Sequence, residues 1–350
     1  MNLEILTLAT LMGEVVANVD LTGGHFARAR LGGGTFTQVN FTRADLRDAD
    51  LRETVFDQCD LSGSLLHRAQ LRRAVFNRCK MDHVDLKEAD MHSAVIAECQ
   101  SPHANLSKAN LGMLVLSKTN MGHAILRGAM LDAAVLTESS LLDANLEGTD
   151  WRYATVQQCN LLHAVWTGAR MLRTAFVETG LSGTSFAGLT LEGCMFAGAD
   201  LSGSEFTEAP LRQCNFQGAK LDGASFARVD APLTLFCGAT GMGVDFAGAR
   251  LRQALFTAAK LPGANFASAD LYQTHFAGAD LQDALFAGAD LTYADLRHAR
   301  LMGADLREAT LQRACLHRAM TDNAQMTDRA RAIETDPDLA EAEAWRPMAV

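Results

Sequence analysis

Phenylalanine returns every ten residues from Phe176 to Phe286, and leucine fills most positions midway between. The underlying period is five. From Val16 to Leu316 every fifth residue is large and apolar, except Ser101, Ala231 and Gly241, with no insertion or deletion. A period this short and strict makes length a count of repeats rather than of domains. Two residues before each apolar centre stands a small or medium neutral residue, most often Ala, and between Val19 and Ala319 none of these is charged. Two inward positions in five cannot be helical, because a 3.6-residue period would sweep the intervening charges through the core. Nor is the pattern a plain strand of period two. It predicts a very short strand followed by a corner, repeated. Most of the 28 glycines lie two residues after a centre, where a turn that needs positive φ is expected.

Six of the eight cysteines (Cys59, Cys79, Cys99, Cys159, Cys194, Cys214) occupy the small inward position, interchangeable there with Ala, Ser, Thr and Val. They read as small buried fillers, and no C-x-x-C pair suggests a metal. The opening MNLEILTLATLMG carries Glu4 and lacks the basic start of a secretory signal. No apolar run reaches the length of a membrane span. A net charge of −10 is a mild excess over 350 residues. These features lead us to expect a cytoplasmic protein, or an effector exported by a non-Sec route.

The motif Ala-Asp-Leu, in GADL (198–201), SADLY (268–272) and GADLT (288–292), resembles that of the pentapeptide-repeat family. The resemblance implies an all-β fold: a right-handed quadrilateral parallel β-helix, with four pentapeptides per coil and about 15 coils of 20 residues. Phe would then take two opposite faces of the square and Leu the other two. In the first half Leu46, Leu66, Leu86, Leu106, Leu126 and Leu146 hold a face that later becomes Phe, and Trp151 and Trp166 at the changeover point inward.

We divide the chain into an N-terminal cap (1–18), the repeat region (19–320) and a C-terminal helical tail (321–350). In the cap, Leu3, Ile5, Leu8, Leu11, Met12 and Val15 are expected to cover the first strand edge. In the tail, Met326, Ala330 and Ile333 mark one face of a helix, and Asp336-Pro337 starts a second that runs to Trp345. Well-studied members of the family dimerise through C-terminal helices, so the tail is one expected route to a homodimer.

Stacked coils place residues 20 apart in outer columns. One reads Val55, Val75, Val95, Val115, Val135, an apolar strip long enough to suggest a protein-binding or self-association face. The same valines also suit a strand ladder. The column continues through Thr155, Ala175, Met195, Asn215, Leu235 and Leu255. A second column reads His83, His103, His123, Asp143, His163, with rungs about 4.8 Å apart, close enough for two imidazoles to share a metal ion. Nothing in the sequence closes a coordination sphere, so a solvated ladder is expected and no cofactor. Missing bulk at Ala231 and Gly241 leaves either a void or a local narrowing.

No phosphate loop, nucleophile elbow or paired carboxylate is legible, and a filled prism offers no cleft, so we expect no enzyme. The expected function is a rigid scaffold that binds a partner protein through a flat face, as an effector or secretion-associated adaptor. The alternative comes from the resemblance: some family members mimic duplex DNA, bind DNA gyrase and protect it from inhibitors or toxins. Those members are shorter and carry an acidic face, whereas residues 28–87 here are net +3. Direct contact with nucleic acid or membrane is not expected.

Overall fold

The computed structural model describes residues 3–345. The outermost parts of the two cap assignments, residues 1–2 and 346–350, lie outside them. The chain forms two compact units that divide between Thr184 and Ser185. Each is a parallel β-solenoid.

In the first unit, helix α1 (Leu3–Leu11) precedes strand β1 (Val15–Ala17). Eight more three-residue strands follow at 20-residue intervals, from β2 (Thr35–Thr37) and β3 (Val55–Asp57) through β4 (Val75–Asn77), β5 (Val95–Ala97) and β6 (Val115–Ser117) to β7 (Val135–Thr137), β8 (Thr155–Gln157) and β9 (Ala175–Val177). They pair in parallel as one nine-stranded sheet in chain order. The other faces are held by single bridges, also 20 residues apart, such as Asp45↔Leu65 and Asp50↔Gln70. Where both residues flanking the centre pair, the leading one is Val or Thr in β2 to β8, and β-branched side chains suit an extended backbone.

The corners follow from one turn. The amide of Ala44 donates to the Phe41 carbonyl at 2.9 Å, and Ala49 does the same to Leu46 at 3.2 Å. Between them the residue two after the centre takes a left-handed conformation, as in a type II turn. Glycine is favoured there but not required: Arg43 (φ 56°), Met113 (φ 57°) and Leu233 (φ 60°) turn the same corner. The Asp or Asn before the centre caps it, as Asn40 Oδ1 accepts from the Thr42 amide at 2.9 Å. That gives the Ala-Asp-Leu motif a physical reason.

On the sheet face the cysteines do more than fill space. Cys99 Sγ accepts from the Cys79 amide (3.3 Å) and donates to the Phe76 carbonyl (3.5 Å). Thr119 Oγ1 accepts from the Cys99 amide (3.2 Å), and Ser139 Oγ from the Thr119 amide (3.1 Å). From Cys59 to Thr179 the column therefore holds only small side chains with a proton to give and a lone pair to take. Burial pushes the Cys159 and Cys214 thiols up.

In the second unit two phenylalanine ladders face each other. Phe206 stacks on Phe226 (4.7 Å, 6°) and Phe216 on Phe236 (5.0 Å, 5°), while rings across the core meet edge to face, as Phe216 and Phe226 do (5.3 Å, 89°). At Gly241 the backbone lies close against the preceding coil: a Cβ there would lie 2.7 Å from the Leu221 backbone. In the first unit Trp151 and Trp166 are both buried. Trp151 Nε1 donates to Thr149 Oγ1 at 2.8 Å, whereas Trp166 Nε1 has no partner.

Two terminal expectations are corrected. Leu3, Ile5, Leu8, Leu11, Met12 and Val15 do not cover the first coil; all six are exposed. A helix laid across the end of a solenoid presses down a single stripe, here Leu6 and Thr10, four residues apart. At the other end, Met326, Ala330 and Ile333 do not share a helix. Strand β10 (Asp305–Leu306) pairs with β11 (Gln325–Met326), a 3-10 turn spans Arg329–Arg331, and Ile333 bridges to Cys315. The last coil's amides demand this. Glu308 N donates to Thr327 Oγ1 (2.9 Å), Leu311 N to Asp328 Oδ2 (3.0 Å), Leu316 N to the Ile333 carbonyl (2.8 Å) and Arg318 N to Thr335 Oγ1 (3.0 Å). A continuous helix would leave those donors unpaired. Helix α2 (Pro337–Ala344) then starts with Asp336 as its cap. Among the described residues no helix is long and apolar enough to cross a membrane.

Candidate functional site

The ladder of strands β3 to β7 brings Val55, Val75, Val95, Val115 and Val135 into direct register, each paired with the next. Their backbone is fixed on both sides, so only the outer part of each side chain remains for contact. Val115 and Val135 are 38% exposed and the other three half-buried. Beyond the centre, the second outward column changes character along the strip. Asp57 accepts from Asn77 Nδ2 (2.6 Å) and Arg78 Nη2 (2.9 Å), whereas Ala97, Ser117 and Thr137 are small. The smoothest part of the face is therefore Val95 to Val135.

The histidine column sits at left-handed corners, with φ between 53° and 57° at His83, His103, His123 and His163. His83 stacks on His103 (4.7 Å, 10°) and His103 on His123 (5.0 Å, 7°). Asp143 occupies the next rung, 3.1 Å from His163 Nδ1 and 3.7 Å from His123 Nδ1. Rings stacked in parallel direct their in-plane lone pairs side by side, whereas one zinc ion needs nitrogens converging at about 2.0–2.1 Å.

A histidine cluster without a counterpart in the repeat pattern lies under α2. Glu343 Oε2 is 3.4 Å from His298 Nε2, 3.4 Å from His317 Nε2 and 3.3 Å from Arg318 Nη1. These donor atoms are close enough to suggest a metal site. The proton placement argues otherwise. The Asp336 amide donates to His317 Nδ1 at 3.1 Å, so the imidazole proton sits on Nε2 and faces Glu343. That proton occupies the lone pair a metal would need, and the Arg318 guanidinium adds a positive charge beside it. The cluster is a clasp that ties α2 to the last coil. Partial burial opposes ionisation of Glu343, but the His317 hydrogen bond and the charges of His298 and Arg318 prevail and lower its pKa. The spacing of 19 between the two histidines, one short of a coil, was the only sequence signal.

In the second unit, Leu235 and Leu255 of the extended column join Leu233 and Tyr293 around a shallow hollow of about 530 Å³. Leu233 and Tyr293 are corner residues three coils apart, at the two ends of a neighbouring column that runs through Gln253 and Gln273.

Family models agree with the repeat. The pentapeptide repeat region model matches residues 16–86. The model for pentapeptide repeats in eight copies matches residues 115–150, 179–218, 219–257, 249–286 and 284–319. The chain belongs to the pentapeptide repeat family. Among solved structures, HetL is similar: a pentapeptide repeat protein involved in heterocyst differentiation regulation, from the cyanobacterium Nostoc sp. It is 26% identical over 73% of this chain and 91% of its own, with a TM-score of 0.30. Full-length QnrB1, a plasmid-mediated fluoroquinolone resistance protein, is 23% identical over 59% of this chain and 93% of its own, with a TM-score of 0.32. No curated protein matches. TM-scores this low leave partner and role to be read from the chain's own surface.

On that surface the pentapeptide repeat places Asp and Arg two residues apart, on the same outward side. Asp45–Arg47, Asp50–Arg52, Asp150–Arg152, Asp295–Arg297 and Asp305–Arg307 are all close ion pairs, at 2.6–2.8 Å. The Arg307 side chain and its amide hold the Asp305 carboxyl down at about 2. Many carboxylates that look acidic in sequence are thus neutralised where they stand.

Proposed function

We propose that this pentapeptide repeat chain is a non-catalytic, cytoplasmic scaffold that binds a partner protein on the face formed by β3 to β7. The in-register valine ladder carries this reading. An apolar surface already ordered by its own strands loses little entropy on docking. Internal pairing of the aspartates with arginines favours a protein-binding face over mimicry of a polyanion, whose carboxylates would need to stay bare.

Replacing Val75, Val95 and Val115 by Thr keeps β-branching, so the fold should persist. Affinity for a partner isolated with the wild-type chain should fall tenfold or more. Unchanged affinity would move the binding face elsewhere. Capture of gyrase subunits equally by wild type and variant would replace this reading with DNA mimicry.

A further inference from the structure

We propose that the exposed side of α1, with the segment that follows it, docks a second copy of this chain. Helix α1 (LEILTLATL) carries Leu or Ile around most of its circumference, with Glu4 as its one charge, a composition closer to that of a helix enclosed in protein than of a surface helix. Yet Leu8 is 58% exposed, Leu11 78%, Met12 67% and Val15 60%, and only Leu6 and Thr10 are buried. Leu3 to Val15 leave on the order of 500 Å² of apolar surface open, as large as the largest patch on a typical monomer. A standard interface takes about 800 Å² from each partner, of which about 65% is apolar in homodimers. One copy of this patch therefore meets what one side of a dimer requires.

Charge points to the same occupant. Glu4 and Glu14 belong to the same stretch of chain, and Arg30 of the first coil borders a hollow together with Leu11. The two glutamates form no ion pair among the described residues, and Arg28 and Arg30 act on Asp48 and Asp50, whose close partners are Arg68 and Arg52. Two acids without a close partner and Arg30, which shares the Asp50 carboxylate with Arg52, border the apolar centre and make the patch complementary to itself. About a twofold axis, the acids of one copy face Arg30 of the other. There is also room: Leu11 and Arg30 border a hollow of about 460 Å³ whose floor includes Gly32 and Gly33. A Cβ at Gly33 would meet nothing within 4 Å, so a partner's side chain can enter. A lipid surface is the poorer match, since α1 and the residues through Val15 carry no Lys or Arg to attract anionic headgroups.

Sedimentation equilibrium of the full chain at micromolar concentrations tests this. The wild type should be a dimer. The double variant Leu8→Ser with Leu11→Ser should dissociate at least ten times more readily, with an unchanged circular dichroism spectrum and melting temperature, since both side chains are exposed. The Val75→Thr, Val95→Thr, Val115→Thr variant should leave the dimer constant unaltered, which separates this surface from the valine face. A monomeric wild type overturns the proposal, as does a dimer that survives the α1 substitutions or one that only the valine substitutions dissolve. A monomer that floats with phosphatidylcholine–phosphatidylserine vesicles overturns it in favour of a membrane.

Discussion

Replacing Phe216 by leucine measures how much of the second unit's stability lies in ring geometry rather than in buried area. Phe216 is fully buried. Its ring stacks on Phe196 (5.0 Å, 10°) and Phe236 (5.0 Å, 5°), and meets Phe206 (5.5 Å, 89°) and Phe226 (5.3 Å, 89°) edge to face. Leucine retains most of the apolar bulk but forfeits all four ring pairs, each worth ~0.5–1.5 kcal/mol beyond area and together less than their sum. A cost of about 2 kcal/mol is expected for Phe216→Leu. Alanine adds a cavity between two ladders that cannot collapse, which places Phe216→Ala near 5 kcal/mol, roughly the top of the range for such truncations. Gln217 is the neighbouring outward residue, and its amide bond to Asn215 Oδ1 belongs to the backbone, so Gln217→Ala should cost less than about 0.5 kcal/mol. Urea melts followed by far-UV circular dichroism give the three values. Phe256→Leu is an internal replicate, because Phe256 has the same four-ring surroundings. The reasoning fails if leucine is as silent as the Gln217 control, or if alanine costs no more than leucine.

Gly223 has φ of 63° and a Cβ there would meet nothing within 4 Å, so Gly223→Ala should cost about 1 kcal/mol from backbone strain alone, seen as a lower urea midpoint. Met113→Gly, at a left-handed corner already occupied by an exposed side chain, should raise the midpoint. Cys99→Ala strips the Cys79 amide of its acceptor at a cost of about 1–3 kcal/mol, whereas Cys99→Thr should be tolerated, as Thr119 is in the next rung. Melts under reducing conditions separate the two. Asp305 has a depressed pKa in the folded state, so its contribution is complete above 3.8 and is lost as pH falls through about 2. Asp305→Asn should flatten that part of a plot of melting temperature against pH, by a modest amount because the pair is solvent-screened.

The residues that proved legible are those whose neighbours are set by a 20-residue repeat. Val55 to Val135 and the histidine column could be aligned from sequence because every coil advances by the same number of residues. The clasp of His298, His317 and Glu343 could not, since α2 returns across the last coil outside the repeat. The hydrogen-bonding role of the cysteine column was also hidden, because Ala, Ser, Thr and Cys look equivalent when only size and charge are compared.

Sequence alone determined the inward positions and the corners, because a five-residue period keeps every charge outside and every centre inside only as a short strand and a turn, and the resemblance of its Ala-Asp-Leu motif to the pentapeptide-repeat family supplied the solenoid. Tertiary structure decided what happens where the period stops. An end coil exposes amides and apolar surface that no next coil will cover, and the chain meets each end differently. Side-chain oxygens from Thr327, Asp328 and Thr335 close the last coil. At the first coil α1 presses down only Leu6 and Thr10, and its remaining apolar surface stays open. Periodicity cannot report such choices, since each depends on contacts made once.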